Sequence, residues 1–283
     1  MVAMAKMRIG TGTYALLAWR PWVQTAFLLV WLLPLRLFSI CSPVFHCYAC
    51  PLATFACPIG IMASFSSFHV FPFVAVGTLV AVGGLVGAFI CGWVCPFGYF
   101  QDLVGKIPTP KLKLPAWTGL FRYAVLAGLV LAVPFFFGKD HPLFICSVCP
   151  AGALEGAAPN MVREALAGRA VTWPNAVKLT VVGVVLVGMF FKHRPWCTLF
   201  CPLGAIFGSF NRVSLFFLRY HPGRCDSCGA CHRQCRYGLM PDRRANDPRC
   251  IRCLECTRCG AIPIGNALSR GNDEPEKTPT SNS

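Results

Sequence analysis

Four stretches of the chain, Pro21 to Ile40, Pro72 to Ile90, Gly119 to Phe137 and Asn175 to Phe191, are long and nearly free of charge. A helix crossing the hydrocarbon of a bilayer needs ~20 mostly apolar residues, so each stretch reads as a span. Composition points the same way: 55% of residues are hydrophobic and only 13% are charged, well below the charge of an ordinary soluble domain. The expectation is an all-α membrane protein with four transmembrane helices. The first stretch reads as a retained helix, because no small-residue cleavage site follows it. Arg36 lies inside it, where a charge is costly and is normally paired or functional. Arg122 and Lys178 can extend to a membrane surface.

Lysine and arginine set the orientation, since they accumulate in cytoplasmic loops. Residues 1–20 carry Lys6, Arg8 and Arg20 without an acid, and the loop after the second stretch carries Lys106, Lys111 and Lys113 against Asp102, so both belong inside. Residues 41–71 hold no charge and residues 139–173 balance three bases with three acids, which puts both outside. From Lys192 onward 14 Lys and Arg stand against 7 Asp and Glu, which keeps the C-terminal region in the cytoplasm. The net charge of +15 is therefore a topology signal, and nucleic acid is not an expected partner.

The chain holds 18 cysteines, and eight of them fall in the tail. Its sequences "CDSCGACHRQC" and "CIRCLECTRC" place Cys225, Cys228, Cys231 and Cys235, then Cys250, Cys253, Cys256 and Cys259, two or three residues apart. Such a run aims three thiolates at three corners of a cube and leaves the fourth corner to a neighbouring turn. The pattern resembles the bacterial two-cluster ferredoxin, in which the fourth cysteine of each run ligates the other cluster. The resemblance implies two [4Fe-4S] clusters, one on Cys225, Cys228, Cys231 and Cys259, the other on Cys250, Cys253, Cys256 and Cys235. The sequence departs from it at Arg236 and Gly260, where proline is usual, and in the short gap before Cys259. A pair of four-cysteine zinc knuckles is the alternative.

Two apolar stretches close on the same signature, "CGWVCPFG" and "CTLFCPLG". Cys-x3-Cys sets two sulfurs on one face of a helical turn, so Cys91, Cys95, Cys197 and Cys201 are candidates for a shared metal or cluster at the inner face. The alternative is a packing role at helix ends that Pro96 and Pro202 terminate. On the outer side lie Cys41, Cys47, Cys50, Cys57, Cys146 and Cys149. A unit of Cys-x2-Cys-Pro, a span, and Cys-x3-Cys-Pro-x-Gly recurs over residues 47–98 and 146–204. A duplicated two-helix unit brings the outer sets together, and Cys47, Cys50, Cys146 and Cys149, with Cys57 able to replace one of them, are a second candidate site. Disulfides in an oxidising compartment are its alternative. Outer and inner sets are expected ~30 Å apart across the hydrocarbon. Covalent haem is not expected, and the six histidines fall in or near loops, which disfavours haem b.

The helices ending in "CGWVCPFG" and "CTLFCPLG", the four spans and the double-run tail together resemble the NapH/NosR-type membrane-bound polyferredoxins, over roughly Pro21 to Ile262. The resemblance implies a bacterial inner-membrane protein with cytoplasmic termini. It would pass electrons between the quinone pool or a cytoplasmic donor and partner redox subunits, and would be an enzyme only as a quinol dehydrogenase component. The expected domains are a four-helix unit over 21–204, an interfacial helix over 205–221, a ferredoxin domain over 222–265 and a disordered tail over 266–283. Quinone-contacting candidates are Trp93, Gln101, Asp102, His193 and Arg194 near the inner face, and Arg36, His46, Asp140 and His141 near the outer face. Two rival readings are a metalloenzyme-maturation or copper-reducing factor of NosR/CcoG type and a redox-sensing membrane scaffold.

Overall fold

The computed structural model describes residues 11–33, 37, 41–47, 49–50, 55–112 and 115–267. Arg36, part of the first apolar stretch and the C-terminal residues after 267 lie outside the described residues, as does the side chain of Cys259. Among the described residues 58% are helical. In order come α1 (Thr11–Trp31), α2 (Pro58–Ser67), α3 (Phe73–Val86), α4 (Phe89–Trp93), α5 (Pro96–Val104), α6 (Trp117–Phe137), α7 (Ile145–Val148), α8 (residues 150–166), α9 (Ala176–Phe191), α10 (Pro195–Leu199) and α11 (Pro202–Phe210). The tail contributes β1 (Phe216–Leu218), α12 (Ala230–Gln234) and β2 (Ile264–Asn266), with β1 and β2 paired antiparallel.

Among the described residues only α6 is long and apolar enough to cross a membrane by length and composition. The 14 residues of α3 and 16 of α9 rise ~21 and ~24 Å, short of a hydrocarbon core of ~30 Å. Each stops where the backbone takes positive φ, at Gly87 (54°) and Arg194 (48°), and continues after the break as α4 or α10. The break at Gly87 makes room for the tail, because a Cβ there would stand 2.8 Å from both Arg252 Nη1 and Asn211 Oδ1. Both α6 and α8 widen to π geometry, at Leu126–Ala132 and Gly152–Ala157, one turn before Pro134 and Pro159. A proline lacks the N–H that the α ladder needs, and the wider turn absorbs the loss.

Two expectations change. The first helix starts ten residues before Pro21, and its Arg20 and Gln24 are buried against α4 and α5. Arg20 finds a carboxylate partner there, so the charge sits inside the protein without an exposed position. Residues 205–221 do not form one interfacial helix: α11 ends at Phe210 with Leu203, Ala205 and Phe207 buried in the core, and a strand follows.

The main core gathers Ile59, Leu79, Phe97, Val130, Ile145, Met189, Leu203 and Phe207 from seven helices. A second core joins Leu17 and Trp31 of α1 to Trp93, Leu218, Leu254 and Ile262, fastening the tail beneath the bundle. Close approach there depends on missing side chains. A Cβ on Gly92 would lie 2.5 Å from Ile251 O, and one on Gly208 2.1 Å from Pro248 O. Asn211 accepts from Ala88 N at 3.0 Å and donates to Asp247 O and Cys250 O. Arg122 donates to Pro248 O at 2.8 Å.

Candidate metal centres

In the tail the two cysteine runs fold alike. Ser227 and Gly229 flank Cys228 with φ of 50° and 64°, and Arg252 and Leu254 flank Cys253 with 50° and 65°. Left-handed backbone at a non-glycine residue costs ~1–3 kcal/mol, so its recurrence at matching positions marks a turn shaped for something. Cys235, Cys250, Cys253 and Cys256 line one small cavity with Leu218, Tyr237 and Leu254. Two of these sulfurs accept backbone N–H groups at 3.4 Å, Cys235 from Leu239 and Cys250 from Arg252. Such bonds stabilise thiolates and tune clusters. Burial pushes the Cys250 thiol up to about 12; a bound metal would deprotonate it. In the other set Cys225 and Cys228 are half-buried and Cys231 is buried, on a helix packed against residues 255–259.

The expectation of no covalent haem rests on the absence of a Cys-x2-Cys-His string, and that ground is corrected: the tail contains one, Cys228 to His232, the pattern of covalent haem attachment. Here His232 Nε2 is hydrogen-bonded to Asp242 Oδ1, and the string is part of the four-cysteine run. Cys231, His232 and Asp242 bring their donor atoms within 4.8 Å of one another, a grouping that sequence spacing did not suggest.

Cys91, Cys95, Cys197 and Cys201 line a single cavity with Phe45, Phe97, Leu203 and Ile251. Cys95 and Cys201 are N-caps of α5 and α11 with nearly equal backbones, φ −69° and ψ 119° against φ −67° and ψ 113°. Proline at the next position needs no donor, and the glycine two further on turns its N–H to the sulfur, at 3.4 Å for Gly204. That is the geometric meaning of Cys-Pro-x-Gly. The glycine is also required at 98, where a Cβ would stand 2.7 Å from Arg194 Nη1. Gln101 Nε2 donates to Cys197 Sγ at 3.0 Å.

Beneath this quartet lies a buried charge cluster. Arg194 places Nε 2.7 Å from Asp102 Oδ1 and Nη2 2.5 Å from Oδ2, and it donates to the carbonyl of Cys91. Arg20 reaches the same carboxylate at 2.7 Å and, with Gln24, donates to Gly92 O. Burial alone would raise the Asp102 carboxyl, but the Arg194 and Arg20 guanidiniums hold it at about 2. Of the inner quinone candidates, Asp102 and Arg194 are therefore spent on each other. Gln101 faces a cysteine sulfur, and Trp93 Nε1 donates to Arg252 O. His193 is half-buried beside Gly105.

Cys47, Cys57, Cys146 and Cys149 lie close to the Cys91 quartet. The C-terminal end of α2 is level with residues 131–135 of α6, where Ser66 Oγ donates to Leu131 O at 2.9 Å and His69 stacks on Phe135. Ten residues of helix span ~15 Å, so Cys57, at the other end of α2, lies near the middle of α6. Cys47, Cys57, Cys146 and Cys149 line one cavity of about 530 Å³, together with Phe45 and His46. Cys50 is buried, with its N–H donating to Cys47 O at 3.1 Å, and is not among the residues that line it. Phe45 belongs to both this cavity and the Cys91 quartet, and Cys95 Sγ lies 3.9 Å from Phe45 O. The expected ~30 Å gap between the two sets is thus corrected to a single residue's width. Of the outer quinone candidates, His46 is buried with Nδ1 2.9 Å from Glu155 Oε2 and Nε2 unpartnered; Asp140 is exposed and His141 Nδ1 accepts from Leu143 N.

Comparison with known proteins fits this arrangement. The Fer4_5 family, described as a 4Fe-4S binding domain, matches residues 68–115 and 175–221. Each match holds one Cys-x3-Cys-Pro and none of the tail cysteines. MauN of Methylorubrum extorquens, a methylamine utilization ferredoxin-type protein, is 30% identical over 65% of this chain and 56% of its own length. YccM of Escherichia coli, named for electron transport, is 24% identical over 74% of this chain and 58% of its own. The regulatory protein NosR of Stutzerimonas stutzeri is 28% identical over 59% of this chain and 22% of its own. The chain thus spans between about a fifth and three fifths of these relatives. No solved structure matches. The repeated cysteine caps coincide with the two matches to a 4Fe-4S binding domain, and the relatives are named as ferredoxin-type, electron-transport and regulatory proteins.

Proposed function

We propose that the protein carries electrons one at a time between the quinone pool, or a cytoplasmic donor, and a partner redox protein, with metal centres at the Cys91 quartet as well as in the tail. The observation that carries the reading is the placement of two residues. Ile251 stands between Cys250 and Cys253 in sequence and lines the quartet's cavity, while Phe45 lines that cavity and the one at Cys47. Four-iron clusters, when bound, supply one-electron exchange.

The chain's own residues do the rest. Cysteine caps present thiolates, and glycine N–H groups and Gln101 donate to them. Apolar side chains exclude water, and the Asp102 ion cluster fixes the turn that carries Cys91 and Gly92. Exposed apolar faces, including Phe73, Val74 and Leu85 on α3 and Val184, Val187 and Phe191 on α9, are suited to lipid. They support a four-helix membrane unit in which α3–α4 and α9–α10 cross as broken helices, with the basic tail at the cytoplasmic face. Among the quinone candidates His46 keeps a buried nitrogen available to hydrogen-bond a quinone oxygen.

The test is reduction of the protein in lipid vesicles by a quinol, read by EPR of the tail centres, beside reduction by dithionite. Quinol reduces the tail of the wild type and not that of Cys197→Ser, while dithionite reduces both. A wild-type tail that dithionite reduces and no quinol or protein donor ever does would sink the proposal.

A further inference from the structure

The mid-depth cysteines offer the same cap twice more. Cys57 and Cys149 precede Pro58 and Pro150 with φ −72° and ψ 124°, and φ −72° and ψ 121°, within about ten degrees of Cys95 and Cys201. Gly152 N donates to Cys149 Sγ at 3.3 Å, as Gly204 N donates to Cys201 Sγ, and Gly60 holds the matching place after Cys57. In the quartet the two caps are joined by two cysteines from the preceding turns; here they are joined by Cys47 and Cys146.

The loop bearing Cys47 is held in place by its surroundings. Glu155 Oε2, on the π turn of α8, accepts from Cys47 N at 3.2 Å and pairs with His46. Asn160 Nδ2 donates to Ala49 O at 2.9 Å. Room for the Cys47 sulfur exists because Gly156 lacks a side chain: a Cβ there would lie 2.9 Å from it. Isolated π turns recur at functional sites. A disulfide needs no cavity, yet these four cysteines line one of about 530 Å³ whose wall also carries Arg163 and Lys178 against Glu164, a net positive lining suited to an anionic thiolate cluster.

We infer that Cys47, Cys57, Cys146 and Cys149 bind an iron–sulfur cluster of the four-iron type, separate from the quartet at Cys91, and that Cys50 is not a ligand. This rests on the electron-transfer reading above, but it concerns different residues and fails separately.

The experiment is iron and acid-labile sulfide per chain in anaerobically purified full-length protein, for Cys57→Ser, Cys149→Ser, Cys50→Ser and Cys91→Ser, with EPR of the tail centres as the folding control. Cys57→Ser and Cys149→Ser each lose ~4 irons per chain, the content of one such cluster, with the tail signals kept, while Cys50→Ser loses none. Full iron content in both Cys57→Ser and Cys149→Ser overturns the inference, as does an equal loss in Cys50→Ser, or zinc in place of iron at these cysteines. Loss in Cys91→Ser without loss in Cys57→Ser and Cys149→Ser would leave the electron-transfer reading standing and refute this site alone.

Discussion

Asp102→Asn removes the charge that holds two arginines beneath the Cys91 quartet. Arg194 has no exposed side-chain surface and Asp102 has 17%, so the variant leaves a buried guanidinium supported only by carbonyl oxygens. Removing one partner of a buried pair costs ~3–5 kcal/mol. For a chain of this size each kcal/mol lowers the melting temperature by ~2–4 °C, so the loss is on the order of 10 °C. Thermal unfolding in detergent, followed by circular dichroism at neutral pH, measures it. The pH dependence follows from the depressed carboxyl. Its stabilisation is fully present above the ordinary carboxylate value of 3.8 and is lost as pH falls through about 2. The gap between wild type and variant should therefore be complete at neutral pH and close below that window. A variant as stable as wild type at pH 7 would refute the argument that Asp102 neutralises Arg194 and Arg20.

Two further outcomes follow from the same geometry. Gln101→Leu deletes the N–H donor to Cys197 Sγ; a hydrogen bond to a charged group is worth ~1.5–3 kcal/mol, and if about half of it favours the reduced state the potential of the quartet falls by roughly 50 mV, read by redox titration with EPR. Gly208→Ala drives a methyl against Pro248 O and should destabilise tail docking by ~1–3 kcal/mol, seen as faster amide exchange over residues 247–256 with iron content retained.

Much of the site was legible because cysteine spacing is a local code. The Cys-x3-Cys-Pro-x-Gly signature marked Cys95 and Cys201, and the duplication over 47–98 and 146–204 grouped the other cysteines, with Cys50 in the place that the cavity gives to Cys57. What failed was the reading of depth. Hydropathy registered α3 and α9, but it passed over α2, "PIGIMASFSS", and α8, with its Glu155, Asn160, Arg163 and Glu164, as loop. Each of these runs from a mid-depth cysteine toward the turn before the next apolar helix, so the segments read as outer loops carry their cysteines into the bundle. The start of α1 was missed for a related reason. Arg20 looked like an end marker, yet its partner Asp102 lies 82 residues away, and no local pattern reveals such a pair. The choice of Cys57 over Cys50 likewise depends on a cavity that only the fold assembles.

The most direct test of the central claim is iron and acid-labile sulfide per chain, measured on anaerobic wild type and on the Cys91→Ser, Cys197→Ser double variant, with EPR of the tail centres in both. The account predicts that the double variant loses ~4 irons, one four-iron cluster, and keeps the tail signals unchanged. Equal iron in the two proteins would contradict it, leaving the buried quartet as packing and the tail as the only seat of electron transfer.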